Sequence, residues 1–210
     1  ELEVVAVSAG GRASEPATVA MTASPALSKP PALAHLGQPA GTVAPLAPGG
    51  RVRVWACPGL VKVSPETGDA MSEDAGGQGD YRQANAVWDG KQVRLFGARG
   101  ETVSFQLIVE NLTDAALKEI KITPDLRIGE VEVFRNWYAR NKDDRWQPAY
   151  CVPLAPIREK ATLEIPDPIR KLPGQRNQSI YVDVHLPRDA KAGTHTGVVE
   201  VRAGGVGVGI

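Results

Sequence analysis

Hydrophobic and polar positions alternate along most of this chain with a period of two. From Ser179 the sequence runs SIYVDVH, with Ile180, Val182 and Val184 separated by Tyr181, Asp183 and His185. Such alternation predicts a strand with one buried face and one wet face. Pro187 ends it, because proline has no N–H to donate to a ladder. A second strand is predicted at about Thr196 to Arg202, with Val199 and Val201 facing inward. Arg188 to Thr194 connect the two, and Gly193 suits a left-handed turn residue. The pair reads as a long-looped β-hairpin.

The same pattern recurs upstream. Thr102 to Glu110 is the strongest core strand, with Val103, Phe105, Leu107 and Val109 on one face and Ser104, Gln106 and Ile108 on the other. Arg51 to Trp55 predicts a strand, Cys57-Pro58-Gly59 breaks it, and Leu60 to Val63 resumes it. Val93 and Leu95 mark a short strand after the Asp89-Gly90 turn. Ile120 and Ile122 mark another, turned by Pro124-Asp125. Glu130 to Arg140 predicts a longer one, and Asn141 to Arg145 a polar loop. Val152 to Pro156 is extended, Leu163 and Ile165 suit a short edge strand, and the alternating valines of Gly204 to Gly209 suit a last one. About nine or ten strands from Arg51 onward predict an all-β fold, an antiparallel two-sheet β-sandwich of immunoglobulin-like or jelly-roll-like form.

The first 50 residues read differently. Glu1 to Ala9 alternates, Gly10-Gly11 turns, and Ala17 to Met21 suits a returning strand. Ala23 to Gly50 carries Pro25, Pro30, Pro31, Pro39, Pro45 and Pro48 among Ala, Gly and Ser, a composition that favours extended states over a core. The expected organisation is a fragmentary hairpin at 1–22, a linker at 23–50 and a β-sandwich at 51–210. The hairpin's VVAVSAGGRASEP run resembles the last hairpin of a fibronectin type III domain. That resemblance implies a domain lying mostly upstream, in a longer protein from which this chain is cut.

Composition narrows the function classes. The 210 residues carry 24 Lys plus Arg and 24 Asp plus Glu, so the formal net charge is zero. That balance argues against nucleic acid, which is met by a basic field. Gly 22 and Pro 17 suit short strands and many turns. No apolar run reaches the length of a membrane helix. Cys57 and Cys151 are the only cysteines, which leaves open one disulfide or two free thiols and excludes a four-cysteine zinc site.

Four segments then form a pattern in order: VRVWACPGLVKVSPETG, VWDGKQVRLFGARGETVSFQLIVEN, EVEVFRNWYARN and NQSIYVDVHLPRDAKAGTHTGVVEV. Together they resemble the N-terminal β-sandwich of glycoside hydrolase family 123 and related bacterial proteins. The resemblance spans Arg51 to Ile210. It implies a secreted, periplasmic or cell-surface protein in which the sandwich precedes a catalytic (β/α)-barrel, and that barrel is the partner expected for this module. It also implies that catalysis uses an adjacent Asp-Glu pair of the barrel, whose neighbouring acid protonates the leaving oxygen.

This chain has no Asp-Glu dipeptide. Its adjacent acids are Glu73-Asp74, in a Gly-rich loop without a calcium-ligand pattern, and Asp143-Asp144. No catalytic residue, resident metal or cofactor is therefore expected. Candidate glycan contacts are Trp137, Trp146, Asp143 and Asp144, because a pyranose's apolar face stacks on a flat ring and its hydroxyls bond to carboxylates. A cluster of Asp183, His185 and His195 across the hairpin is weighed as a metal site against a cross-strand polar ladder, and the ladder is preferred. The expected role is a non-catalytic module. The alternative is a stand-alone carbohydrate-binding or adhesion module.

Overall fold

The computed structural model describes residues 2–4, 17–19, 50–71, 81–154, 163–203 and 205–210. The chain divides into two compact units, Glu1–His35 and Leu36–Ile210. In the first, β1 (Leu2–Val4) pairs antiparallel with β2 (Ala17–Val19), Leu2 opposite Val19. That is the hairpin read from the sequence. The turn at Gly10-Gly11, the linker up to residue 49 and the Glu73-Asp74 loop lie outside the described residues.

Among the described residues the second unit is all-β, with nine strands in two antiparallel sheets that do not close into a barrel. The larger sheet runs β3 (Val52–Pro58), β4 (Thr102–Asn111), β9 (Asn177–His185), β6 (Glu130–Arg140), β7 (Trp146–Pro153). The smaller runs β11 (Val206–Gly209), β10 (Gly197–Ala203), β5 (Leu117–Leu126), β8 (Leu163–Ile165). No helix among the described residues is long and apolar enough to cross a membrane.

Three expectations change. The stretch from Ser179 to Gly205 is not a hairpin. β9 already pairs on both sides, Phe105 opposite Val182 on β4 and Val133 opposite Val182 on β6. With no free edge beside β9, the chain crosses to the other sheet, where β10 pairs with β5 and β11.

Second, Pro124 does not end its strand. β5 runs through it, with Pro124 opposite Val199. Val199 exchanges both its backbone bonds with Ile210, so it turns no N–H or C=O toward β5 at this level. Pro124 therefore points its missing N–H at the side beyond the pairing with β8, where no ladder bond is lost. A bulge at the start of β5, with Glu119 at φ 56°, brings Leu117 and Ile120 to the same inner face despite their odd spacing.

Third, β4 has no wet face over most of its length: every residue from Phe105 to Asn111 is buried. Asn111 Nδ2 donates to Ile165 O of β8, so the Phe105–Leu107–Val109–Asn111 face meets the smaller sheet. The Gln106–Ile108–Glu110 face lies under residues 59–71 and 81–95. The segments expected as strands at Leu60–Val63 and Val93–Leu95 belong to this cover, which holds only the isolated bridges Val63↔Ala70 and Trp88↔Val93. Gln106 Nε2 donates to Gly59 O (2.9 Å) and Val61 O (2.6 Å). Asn85 Nδ2 donates to Ala56 O (2.7 Å), and Trp88 Nε1 to Arg82 O (3.0 Å). Buried amides with such partners stabilise the cover; left unmade, each would cost about 1–3 kcal/mol.

Burial on both faces sets the first prediction. Phe105→Ala should cost about 3–5 kcal/mol and Ile108→Ala about 2–5 kcal/mol. Ser104→Ala, which loses one bond to Asp183, should cost about 1 kcal/mol. Denaturant melts of the three variants check this, and a near-neutral Ile108→Ala would mean that the cover does not form.

Candidate functional site

The β6–β7 hairpin carries the four residues named as glycan contacts. Its turn is built by Asn141, whose Oδ1 accepts from Asp143 N (3.0 Å) and Arg145 N (2.9 Å), with Asp144 in the left-handed region at φ 59°. Asp143 and Asp144 are exposed, and Asp144 pairs with Arg140. The Arg140 guanidinium lies 5.0 Å from the Trp146 ring, its partner in register. Asp143, Asp144 and Trp146 thus gather at one turn. Trp137 is separate. It stands opposite Tyr150, three residues from Arg140 along β6 and so on the other face, the register shift beside it placing its extra residue, Ala149, on β7. Its ring lies 4.4 Å from the Arg170 guanidinium and 4.7 Å from that of Arg135. Both indoles are thus engaged by the protein's own cations. Tyr150, 66% exposed, is the open ring beside Trp137.

The two cysteines are free. Cys57 on β3 and Cys151 on β7 lie at opposite edges of a five-stranded sheet, on the order of 19 Å apart at the strand spacing, too far for a disulfide. Burial pushes the Cys57 thiol up to about 12. Cys151 is raised too, by partial burial and by the Asp183 carboxylate, and its Sγ contacts Asn136 Oδ1 at 3.4 Å. The histidines do not converge with Asp183. Asp183 accepts from Ser104 Oγ, His185 Nδ1 meets Thr102 Oγ1 at 3.2 Å, and His195 Nε2 meets Lys191 O at 2.9 Å. His185 and Thr102 do form a cross-strand polar pair. Among the described residues no group of three His, Cys, Asp or Glu could hold a metal ion.

A polar constellation unforeseen in the sequence lies at the other end of the sheet. Arg53, Glu110 and Asn177 stand in one row across β3, β4 and β9. Glu110 accepts from Arg53 Nη1 (3.1 Å) and from Arg82 Nε (2.9 Å). Arg82 also reaches Asp69 Oδ1 (3.2 Å) and donates to Thr67 O (2.6 Å). Burial alone would lower the Arg82 pKa, but the Glu110 and Asp69 carboxylates hold it above its ordinary value. Gly68, at φ 74°, passes directly over the Arg82–Glu110 pair, where a side chain would collide with both. Asn177 Nδ2 donates to Ser64 O (2.8 Å). These contacts clamp the 64–69 turn to the sheet.

Beside the clamp is an open cleft of about 320 Å³, walled by the 66–67 turn and by the 111–114 turn with Arg176. Arg176 donates to Thr113 O (2.7 Å) and pairs with Asp114 (2.7 Å). The sequence signal was slight: a Glu in phase with Gln106 and Ile108 at the end of a core strand needs a cation when buried, but Arg82 arrives from 28 residues away. Asn111 and Asn177 both begin glycosylation sequons, yet both are buried and bonded to the backbone.

No family model and no curated protein matches the chain. Among solved structures it is similar to a family 123 glycoside hydrolase from Clostridium perfringens, whose structural analysis concerns glycolipid glycan hydrolysis. The identity is 16% and the TM-score 0.33, over 50% of this chain and 19% of that one. The likeness therefore spans about a fifth of that enzyme's length, and at this TM-score it carries no argument about activity.

Two measurements follow. In the native protein a disulfide-exchange reagent should titrate Cys151 alone, and both thiols only in denaturant; two blocked thiols under all non-reducing conditions would restore the disulfide. Glu110→Ala, which strips both guanidiniums of their shared partner, should cost about 2–4 kcal/mol in a thermal or urea melt.

Proposed function

We propose that residues 51–210 are a non-catalytic β-sandwich module of a glycoside hydrolase-like protein, which packs against and positions a catalytic barrel. One observation carries this reading. The four segments that resemble the family 123 N-terminal sandwich supply β3, β4, β6 and β9, four strands adjacent in the larger sheet, and most of β10 in the smaller. A resemblance that supplies four adjacent strands of one sheet and the crossover that follows them is coherent in a way that scattered matches are not. Asp143 and Asp144 support the same reading: they are exposed on a tight turn with Asp144 tied to Arg140, so these two carboxyls do not face each other across a glycosidic bond. The location proposed with it is secreted, periplasmic or cell-surface.

The alternative is a stand-alone carbohydrate-binding or adhesion module. Tyr150 favours it, as an exposed ring beside Trp137.

The chain is expected to release no chromophore from aryl N-acetylhexosaminides or other aryl glycosides. Turnover above background that disappears in the Asp143→Asn, Asp144→Asn double variant would overturn the non-catalytic reading. The continuing open reading frame supplies a second check: a barrel with an adjacent Asp-Glu pair is expected, and tandem sandwich domains would favour the alternative. Glycan retention in affinity electrophoresis that is lost in Tyr150→Ala would point the same way.

A further inference from the structure

The cleft beside the Glu110 clamp has features that the clamp does not require. Arg53 Nε and Asn177 Oδ1 are both buried and have no hydrogen-bond partner among the described residues. Asn177 is 1% exposed, so its side-chain oxygen has lost water without a replacement. Both residues line the cleft, and they flank Glu110 on either side in the same cross-strand row. Arg53 Nη1 and Asn177 Nδ2 serve the clamp, but the clamp leaves Arg53 Nε and Asn177 Oδ1 unused.

The chemistry of the lining selects the ligand. The cleft holds three guanidiniums, from Arg53, Arg82 and Arg176, and three carboxylates, from Glu66, Glu110 and Asp114. Glu110 and Asp114 are each paired with an arginine of the same cleft. An anion would have to displace Glu110 or Asp114 from its arginine, and a cation seated over either of these carboxylates would have to displace the arginine, each at the cost of a broken pair. A neutral group does neither. One orphan atom is a donor and the other an acceptor, and a hydroxyl group serves both. The two flank Glu110 rather than meet, so a ligand that uses both carries several hydroxyls. Among the described residues no aromatic side chain lines the cleft, so the ligand is held by its polar edge and not by a ring face. A volume of 320 Å³ is at the small end of ligand sites, suited to one ring rather than a chain.

We propose that this cleft binds a neutral polyhydroxylated ligand, a free monosaccharide or the terminal sugar of a glycan, with its hydroxyls satisfying Arg53 Nε and Asn177 Oδ1. Both residues line the cleft, but these two atoms are themselves buried. Entry therefore involves a small outward shift of Arg53, whose side chain is 28% exposed. The site lies at the opposite edge strand from Tyr150. It is independent of the non-catalytic reading: failure to bind sugar leaves that reading intact, and enzymatic turnover would not supply binding here.

The test is ligand-observed saturation-transfer NMR on the 210-residue chain. Galactose, glucose and N-acetylgalactosamine serve as free sugars, lactose as a chain terminus, and inorganic phosphate as an anionic competitor. Millimolar binding of at least one sugar is expected, without displacement by phosphate. A free-sugar site binds the monosaccharides and not lactose; a terminus site binds lactose at least as well. Two rim variants locate the binding. Arg176→Ala removes a guanidinium that the fold uses only for exposed contacts, and Thr67→Trp fills the cleft from an exposed turn. Each should weaken binding at least about tenfold while the melting temperature shows that the fold is kept. No binding of any probe overturns the proposal. So does binding that survives both variants, or binding lost in Tyr150→Ala. Displacement by phosphate would show that the cleft is an anion site instead.

Discussion

The second unit depends on how the outer face of β4 is covered. A strand in a two-layer sandwich usually gives one face to the core and one to water. Here Gln106, Ile108 and Glu110 are roofed by residues 59–71 and 81–95, which contain almost no regular structure. Such a roof cannot satisfy its backbone by pairing strands, so it borrows side chains from the sheet below. Gln106 supplies donors to its carbonyls, Asn85 ties it back to β3, and Glu110 gathers Arg53 and Arg82. Removing the carboxylate would leave two cations under the roof and loosen what covers Trp55 and Ile108, both fully buried.

The same arrangement accounts for the polar residues inside the larger sheet. Gln106 accepts from Asn136 Nδ2 at 2.7 Å, and Gln178 Nε2 donates to Asn136 O at 2.8 Å, so β4, β9 and β6 share one amide network. Tyr138 extends it: its hydroxyl accepts from Ser179 N at 2.8 Å, and burial pushes it up to about 12. Buried amides and a buried phenol with defined partners fix the register of these strands more tightly than valines alone.

Strand faces were legible in the sequence because period two is a local property. The bounds of β6, most of β4 and the valine-glycine strand β11 follow from alternation alone. Neighbours were not legible, because alternation says which side a residue faces and nothing about which strand lies beside it. Hence β9 and β10, adjacent in sequence, read as a hairpin although they lie in different sheets. Pro124 misled for a related reason: whether a proline breaks a ladder depends on which way its nitrogen points, and only the Val199–Ile210 pairing decides that. At the β6–β7 end, Trp137 and Trp146 read as one group because their faces depend on a hairpin register that includes a bulge. The Glu110 clamp was invisible because Arg53, Arg82, Glu110 and Asn177 come from four separated parts of the chain.

The crossover from β9 to β10 also shapes how the protein is made. β9 fills the centre of the larger sheet, between β4 and β6, yet it is the last strand of that sheet to leave the ribosome. Ser104 waits for Asp183 across 79 residues, and Ser64 for Asn177 across 113. Contacts this distant in sequence form slowly, because the chain must close long loops before they stabilise anything. During synthesis the β3–β4 pair therefore carries an open, apolar edge while β5 to β8 are still being added. An open apolar edge of this kind is an aggregation hazard until β9 arrives to close it.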